Sequence, residues 1–133
     1  MRAFVTGAAG FIGSHLSERL IEAGHEVVGL DSFTDYYARS IKETNVASLT
    51  QRRQFQFFES SLSNANLDTL LDGVTHVFHL AAQAGVRKSW GTEFSVYTEQ
   101  NVNATQCLLE ACINRSIERF VYASSSSIYG DSV

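Results

Sequence analysis

Proline is absent from all 133 residues. Average usage of about 5% would supply roughly seven, so the chain is expected to be dense in regular helix and strand, where proline is excluded. Cysteine is nearly as scarce. Cys107 and Cys112 lie five apart in what reads as one helix, which gives neither a disulfide framework nor a metal-ligand spacing and suits a reducing cytoplasm. No apolar run approaches the roughly 18–20 residues that span a bilayer. Positive charge is sparse and scattered. Ten Lys and Arg against fourteen Asp and Glu leave a formal net charge of -4, with no basic stripe to attract nucleic acid or an anionic membrane. Internal repeats and Gly/Ser-rich linkers are also missing, and with a strand directly after Met1 no secretory leader is expected. What remains is 44% hydrophobic and 18% charged, enough apolar material for one globular domain.

The segments alternate. Residues 2–6 (RAFVT) read as a short apolar strand. Ile12, Leu16 and Leu20 then form an i, i+4, i+8 stripe on a helix over residues 11–23, closed by Gly24 at the position after the C-cap. Strands are expected over residues 25–30, 55–58, 75–80 and 118–123. Helices are expected over residues 35–49, 65–71 and 92–115. Strict strand–helix alternation predicts parallel β-α-β units in an α/β, doubly wound sheet of about five strands. Ligands of such sheets bind beyond the carboxyl ends of the strands.

Residues 6–16 read TGAAGFIGSHL, with Gly7, Gly10 and Gly13 between a β-branched strand and an amphipathic helix. A dinucleotide pyrophosphate would lie against backbone amides at that helix N-terminus, where the macrodipole favours negative charge. A Cβ in the turn would hold phosphates off, and one at Gly13 would hold helix from strand. Asp31 follows eighteen positions after Gly13 and ends the second strand, the place for a carboxylate that binds both ribose hydroxyls and repels a 2′-phosphate, favouring NAD over NADP. The alternatives are a turn that only packs tightly and an Asp31 that caps the next helix. Arg39 and Lys42 leave an NADP reading open.

The glycine spacing is G-x-x-G-x-x-G. With VVGLDSFTDYY, HLAAQAGVR, NVNATQCLLEAC and RFVYASSSSIYG following in that order, the chain resembles the NAD-dependent nucleotide-sugar epimerases and dehydratases of the extended short-chain dehydrogenase/reductase group, its wording nearest the UDP-sugar 4-epimerases. The resemblance implies a Rossmann-like domain and cofactor contacts from Gly7, Gly10, Phe11, Ile12, Gly13, Asp31, Ser32, Leu80, Ala81, Ala82, Asn101 and Ser124. Ser61 stands where the family often has an acid near the adenine. Gln83, Gly85 and Arg87 would face a UDP-sugar, the Arg87 fork suiting a diphosphate or carboxylate. Arg87 and Lys88 read equally well as a solvated helix start. In the serine-rich turn, Ser125 would hydrogen-bond the reacting sugar oxygen. Ser126 stands where the dehydratases carry an acid, which favours epimerase over dehydratase or decarboxylase. For these positions the plainer readings are a polar loop, a surface Asn and ordinary small-residue packing.

The resemblance also implies a general-base Tyr with a Lys four residues on, roughly twenty residues past Tyr129. Tyr36, Tyr37, Tyr97, Tyr122 and Tyr129 have no Lys at that spacing. The chain is therefore expected to be the cofactor-binding portion of an enzyme that lacks its substrate lobe, with a non-catalytic NAD-binding module as the rival. A homodimer built partly on the 92–115 helix is implied, so that helix and the fifth strand should carry an uncovered apolar side. His76 and His79 point to opposite strand faces and cannot share a metal. Both are expected to be structural. Asp68 and Asp72 are expected to be solvated and form no paired-carboxylate site.

Overall fold

A computed structural model describes residues 1–85 and 88–130, with Ser126 and Ser127 described by backbone alone. Five strands form one all-parallel sheet: β1 (Arg2–Thr6), β2 (Glu26–Asp31), β3 (Phe55–Glu59), β4 (His76–His79) and β5 (Arg119–Tyr122). Their order across the sheet is β3-β2-β1-β4-β5. The chain winds outward from β1 through β2 to β3, then returns to β4 on the other side of β1. That reversal leaves a crevice between the carboxyl ends of β1 and β4, where open α/β sheets bind ligands.

The central strands are apolar without alternation because both faces are covered. Phe4 packs with Leu67, Leu70, Leu71 and Leu108 on one face. Its neighbours Ala3 and Val5 pack with Leu20, Ile21 and Leu49 on the other. Helix α1 (Phe11–Glu22) ends as expected. Gly24 adopts φ +82°, its amide donating to Ile21 O at 2.9 Å and that of His25 to Leu20 O at 3.0 Å, the paired closure of a Schellman motif.

Two helix expectations need correction. The segment expected over residues 35–49 is helical only at α2 (Arg39–Ala47), followed by a 3₁₀ turn at Leu49–Gln51. Residues 35–38 instead form a turn that brings Tyr36 and Tyr37 to the crevice. The 92–115 helix is not uniform either. After a four-residue α3 (Leu67–Leu70), a 3₁₀ turn at Gly91–Glu93 leads into α4 (Phe94–Tyr97), a π turn (Thr98–Asn103) and α5 (Ala104–Cys112). The helix stops at Cys112, and Asn114 takes a left-handed φ of 61°. Among the described residues no helix is long and apolar enough to cross a membrane.

Candidate functional site

The crevice holds a cavity of about 340 Å³ with three walls. One wall is the glycine turn. Gly7 has φ +69°, and a Cβ there would come within 3.0–3.1 Å of the Leu80–Ala81 backbone. This glycine therefore lets β4 approach the turn, a different service from clearing room for a phosphate. Gly13 serves as the spacing suggested: a Cβ would fall 2.1 Å from Gly7 O and 2.9 Å from Ala8 Cα, so only glycine lets α1 lie on the turn. Gly10 is the N-cap of α1 and offers no side-chain cap. The first-turn amides of Phe11, Ile12 and Gly13 precede the first i→i−4 bond, which Ser14 N makes to Gly10 O at 3.0 Å, and all three residues line the cavity.

The second wall is the end of β2. Asp31, 6% exposed, accepts from Ala9 N at 3.1 Å through Oδ2 and from Phe33 N at 2.8 Å through Oδ1. It does not cap α2, which starts eight residues later. Lys42 of α2 is buried as well and lies 3.3 Å from Asp31 Oδ1. Asn45, one turn on, donates to Ala9 O at 2.9 Å. The turn is thus gripped at both Ala9 backbone groups. Burial, then the Asp31 charge, pushes the Tyr37 phenol above its ordinary range, so it stays neutral. Arg39 has its fork on Glu59 at 2.7 and 2.8 Å and its Nε on Glu43 at 2.7 Å, which holds its pKa above the usual guanidinium value.

The third wall is the end of β4. Leu80, Ala81, Ala82 and Gln83 line the cavity with Gln100 and Ala123. Asn101, inside the π turn, clamps Gln83 by both backbone groups: Oδ1 accepts from its N–H at 2.7 Å and Nδ2 donates to its carbonyl at 3.1 Å. His79 is buried with Nδ1 2.7 Å from Thr6 Oγ1 and Nε2 2.9 Å from Thr105 Oγ1. Burial lowers its pKa.

The structure brings Gly7, Gly10, Phe11, Ile12, Gly13, Asp31, Ser32, Leu80, Ala81, Ala82 and Gln83 together around one cavity. Asn101 acts one layer behind. Ser61 does not line that cavity. Its carbonyl accepts from Asn64 and Ala65 in the turn after β3. Gly85 lies just beyond the lining with φ +93°, facing the hydroxyls of Tyr97 and Tyr36. Ser124 and Ser125 are exposed beside Ala123. Arg87 and the Ser126 side chain lie outside the described residues. Sequence reasoning missed Thr34, Tyr36, Tyr37, Asn45 and Gln100, and read Lys42 only for NADP. One signal was available. Lys42 and the apolar Val46 are four apart on α2, which puts Lys42 on the buried helix face. His76 is half-buried with Nδ1 2.9 Å from Thr75 Oγ1, Asp68 is solvated as expected, its exposed carboxylate meeting Arg115 at 2.5 Å, and among the described residues no cluster of ligating side chains could hold a metal.

Many known proteins share this sequence or arrangement of elements, and three illustrate it. The UDP-glucose epimerase YtcB of Bacillus subtilis, itself uncharacterized, is 48% identical over 132 residues, matching 98% of this chain and 42% of its own length. UDP-glucuronate 4-epimerase 3 of Arabidopsis thaliana is 44% identical over 130 residues, matching 95% of this chain and 30% of its own. The crystal structure of UDP-glucuronic acid 4-epimerase from Bacillus cereus, in complex with UDP-glucuronic acid and NAD, superposes with a TM-score of 0.94 at 42% identity, covering 100% of this chain and 43% of that protein. The chain thus spans well under half the length of these relatives. Residues 3–133 match the family model described as NAD dependent epimerase/dehydratase, and with the glycine turn, the buried Asp31 and the β1/β4 crevice in place, this chain belongs to that family.

Proposed function

We propose that this chain is the NAD-binding portion of a cytoplasmic UDP-sugar 4-epimerase that works as a homodimer. The observation carrying this reading is the convergence, at the β1/β4 switch, of a glycine-rich turn, open first-turn amides of α1 and the Asp31 carboxylate. The fit to a dinucleotide is steric and electrostatic. Glycine at position 13 lets α1 close onto the turn, where a Cβ would meet Gly7 O, and an anion on the α1 amides meets the positive end of the helix dipole.

In this reading Gly10, Phe11, Ile12 and Gly13 hold the pyrophosphate, and Asp31 with Ser32 holds the adenosine ribose. Leu80, Ala81 and Ala82 flank the nicotinamide half, and Asn101 fixes that wall through Gln83. Ser61, in the turn after β3 outside the lining of this cavity, would reach only an adenine that extends past it, and Ser124 would stand at the nicotinamide end. Bound NAD supplies a reversible two-electron acceptor at sugar C4. Ser125, with Ser126, orients the sugar oxygen, while Gln83, Gly85 and Arg87 face the nucleotide sugar. Arg39 is already committed to Glu59 and Glu43, which supports NAD over NADP. Serine at 126, where dehydratases carry an acid, supports epimerisation over water removal. The free Cys107 and Cys112 suit a reducing compartment.

Calorimetric titration with NAD and NADP tests the reading. The native chain should bind NAD more tightly. Asp31→Asn should lose roughly 10- to 100-fold in NAD affinity, the worth of one hydrogen bond to a charged group, and most of the discrimination with it. Lys42→Met should sharpen discrimination, because Asp31 would then face a 2′-phosphate with no compensating cation. Absence of NAD heat, or an unchanged NAD/NADP ratio in Asp31→Asn, would overturn it. The substrate assignment is tested with UDP-glucuronate and UDP-glucose on the complete enzyme, following C4 configuration by proton NMR.

A further inference from the structure

His79 stands at the centre of a hydrogen-bond chain whose direction follows from the chemistry of its members. The Thr6 hydroxyl oxygen accepts from Leu80 N and Ala81 N, each at 3.1 Å. A hydroxyl has two lone pairs and one proton. Both lone pairs are taken, so the proton goes to the third neighbour, His79 Nδ1 at 2.7 Å. Nδ1 is then an acceptor, and a neutral ring must carry its proton on Nε2. Nε2 donates to Thr105 Oγ1 at 2.9 Å. Thr105 donates in turn to Asn101 O at 2.7 Å, and the Asn101 side chain clamps Gln83. From the Thr6 hydroxyl to the Asn101 carbonyl the three donor links run the same way, from the end of β1 through β4 to the helix.

The setting makes the ring hard to replace. His79 is 1% exposed, with the rings of Phe120 and Tyr122 beside it at 6.3 and 5.7 Å. An imidazolium would present a second proton to the Thr6 hydroxyl, and the chain could no longer run. An aliphatic side chain would leave the Thr6 proton and the Thr105 oxygen facing apolar surface, a cost of about 1–3 kcal/mol for a buried polar group. The far end of the chain lies in the π turn Thr98–Asn103, a distortion that proteins place most often at functional sites. Thr105 supplies a side-chain donor to a carbonyl inside it.

We propose that His79, fixed as its neutral Nε2–H tautomer between Thr6 and Thr105, is a positioning residue that sets the spacing between the glycine turn and the Asn101 turn, and with it the placement of the residue 80–83 wall. The proposal rests on reading the cavity as the NAD site. It differs from plain core packing because one hydroxyl, on a residue outside the cavity lining, should alter both Gln83 and cofactor affinity.

The test compares the native chain with Thr105→Val, His79→Gln and His79→Leu. Thr105→Val removes one hydroxyl at nearly constant shape and keeps the test open should His79→Leu fail to fold. His79→Gln restores a donor near the Nε2 position. The readouts are the ¹⁵N spectrum of His79, the amide shift of Gln83, the thermal midpoint and NADH affinity by fluorescence. Expected are the Nε2–H tautomer, a displaced Gln83 amide in Thr105→Val, and NADH binding weakened roughly 3- to 10-fold in Thr105→Val and His79→Leu, with part of the loss recovered in His79→Gln. An Nδ1–H tautomer, an unmoved Gln83 amide, or lowered midpoints with unchanged NADH affinity would overturn the proposal. The first two readouts need no cofactor. A native chain that binds no NADH is therefore a failure of the NAD reading, told apart from a failure of the relay.

Discussion

A single methyl group added at Gly13 is the sharpest test of how α1 meets the turn. The new Cβ would sit 2.1 Å from Gly7 O, 2.8 Å from Gly7 C and 2.9 Å from Ala8 Cα. All three are backbone atoms in the turn between β1 and α1, and the closest lies more than an ångström inside ordinary contact. No rotamer change relieves the clash, so the helix must withdraw. Overpacking of this kind costs about 1–3 kcal/mol, occasionally more. A withdrawal of about an ångström also lengthens the N–H···O contacts from the first turn of α1 beyond the roughly 3.2 Å limit of a good bond. One charge-assisted bond lost corresponds to roughly 10- to 100-fold in affinity. Gly10→Ala supplies the contrast. Its Cβ would meet only Gly7 O at 3.1 Å and the Tyr37 hydroxyl at 3.8 Å, so a small shift suffices and stability should change little, while NAD binding weakens because the methyl group points into the cavity. Thermal unfolding followed by circular dichroism reads the first effect, and calorimetric NAD titration the second. Native-like midpoint and affinity in Gly13→Ala would refute the claim that close helix–turn approach builds this site.

Two further predictions follow from exposure and burial. The outer side of the α4–α5 helix and β5 carries Val102, Leu109, Ile113, Val121 and Tyr122, between 45% and 61% exposed; so wide an apolar surface favours association, and the chain should self-associate in multi-angle light scattering, a monodisperse monomer counting against this. Acidification should destabilise the fold through His79, whose pKa burial lowers in the folded state. The unfolded ring titrates near about 6.5, so the unfolded chain binds more protons as pH falls below that value, and stability present above it is lost progressively until the folded ring protonates. Midpoints measured downward from about pH 7.5 should fall less steeply in His79→Gln than in the native chain; equal slopes would remove His79 from the effect.

The readable part of the molecule is the part governed by short-range rules. Residues 3–5 are apolar in sequence because the strand is buried on both faces, and Phe4 and Val5 do enter opposite clusters. The Gly24 closure and the Gly13 contact depend on neighbours within a few residues, and both are met as expected. The start of α2 was not readable. Tyr36 and Tyr37 are compatible with a helix, yet they lie in a turn at the edge of the cavity. The π turn was hidden for a similar reason: residues 92–115 carry a helical pattern throughout, and the Asn101 clamp that accompanies the distortion joins it to Gln83, eighteen positions away.

Sequence alone determined the alternation of strand and helix, the glycine turn and the placement of Asp31 at a strand end, since periodicity, steric permission and spacing are local properties of a chain. Tertiary structure decided the rest. It set Lys42 against Asp31, put Asn45 on Ala9, and joined Thr6, His79 and Thr105 into one line of donors and acceptors. Thr6 and His79, 73 positions apart, meet there, and what they do depends on which lone pair is free and how deeply each group is buried, neither of which is written in the order of the letters.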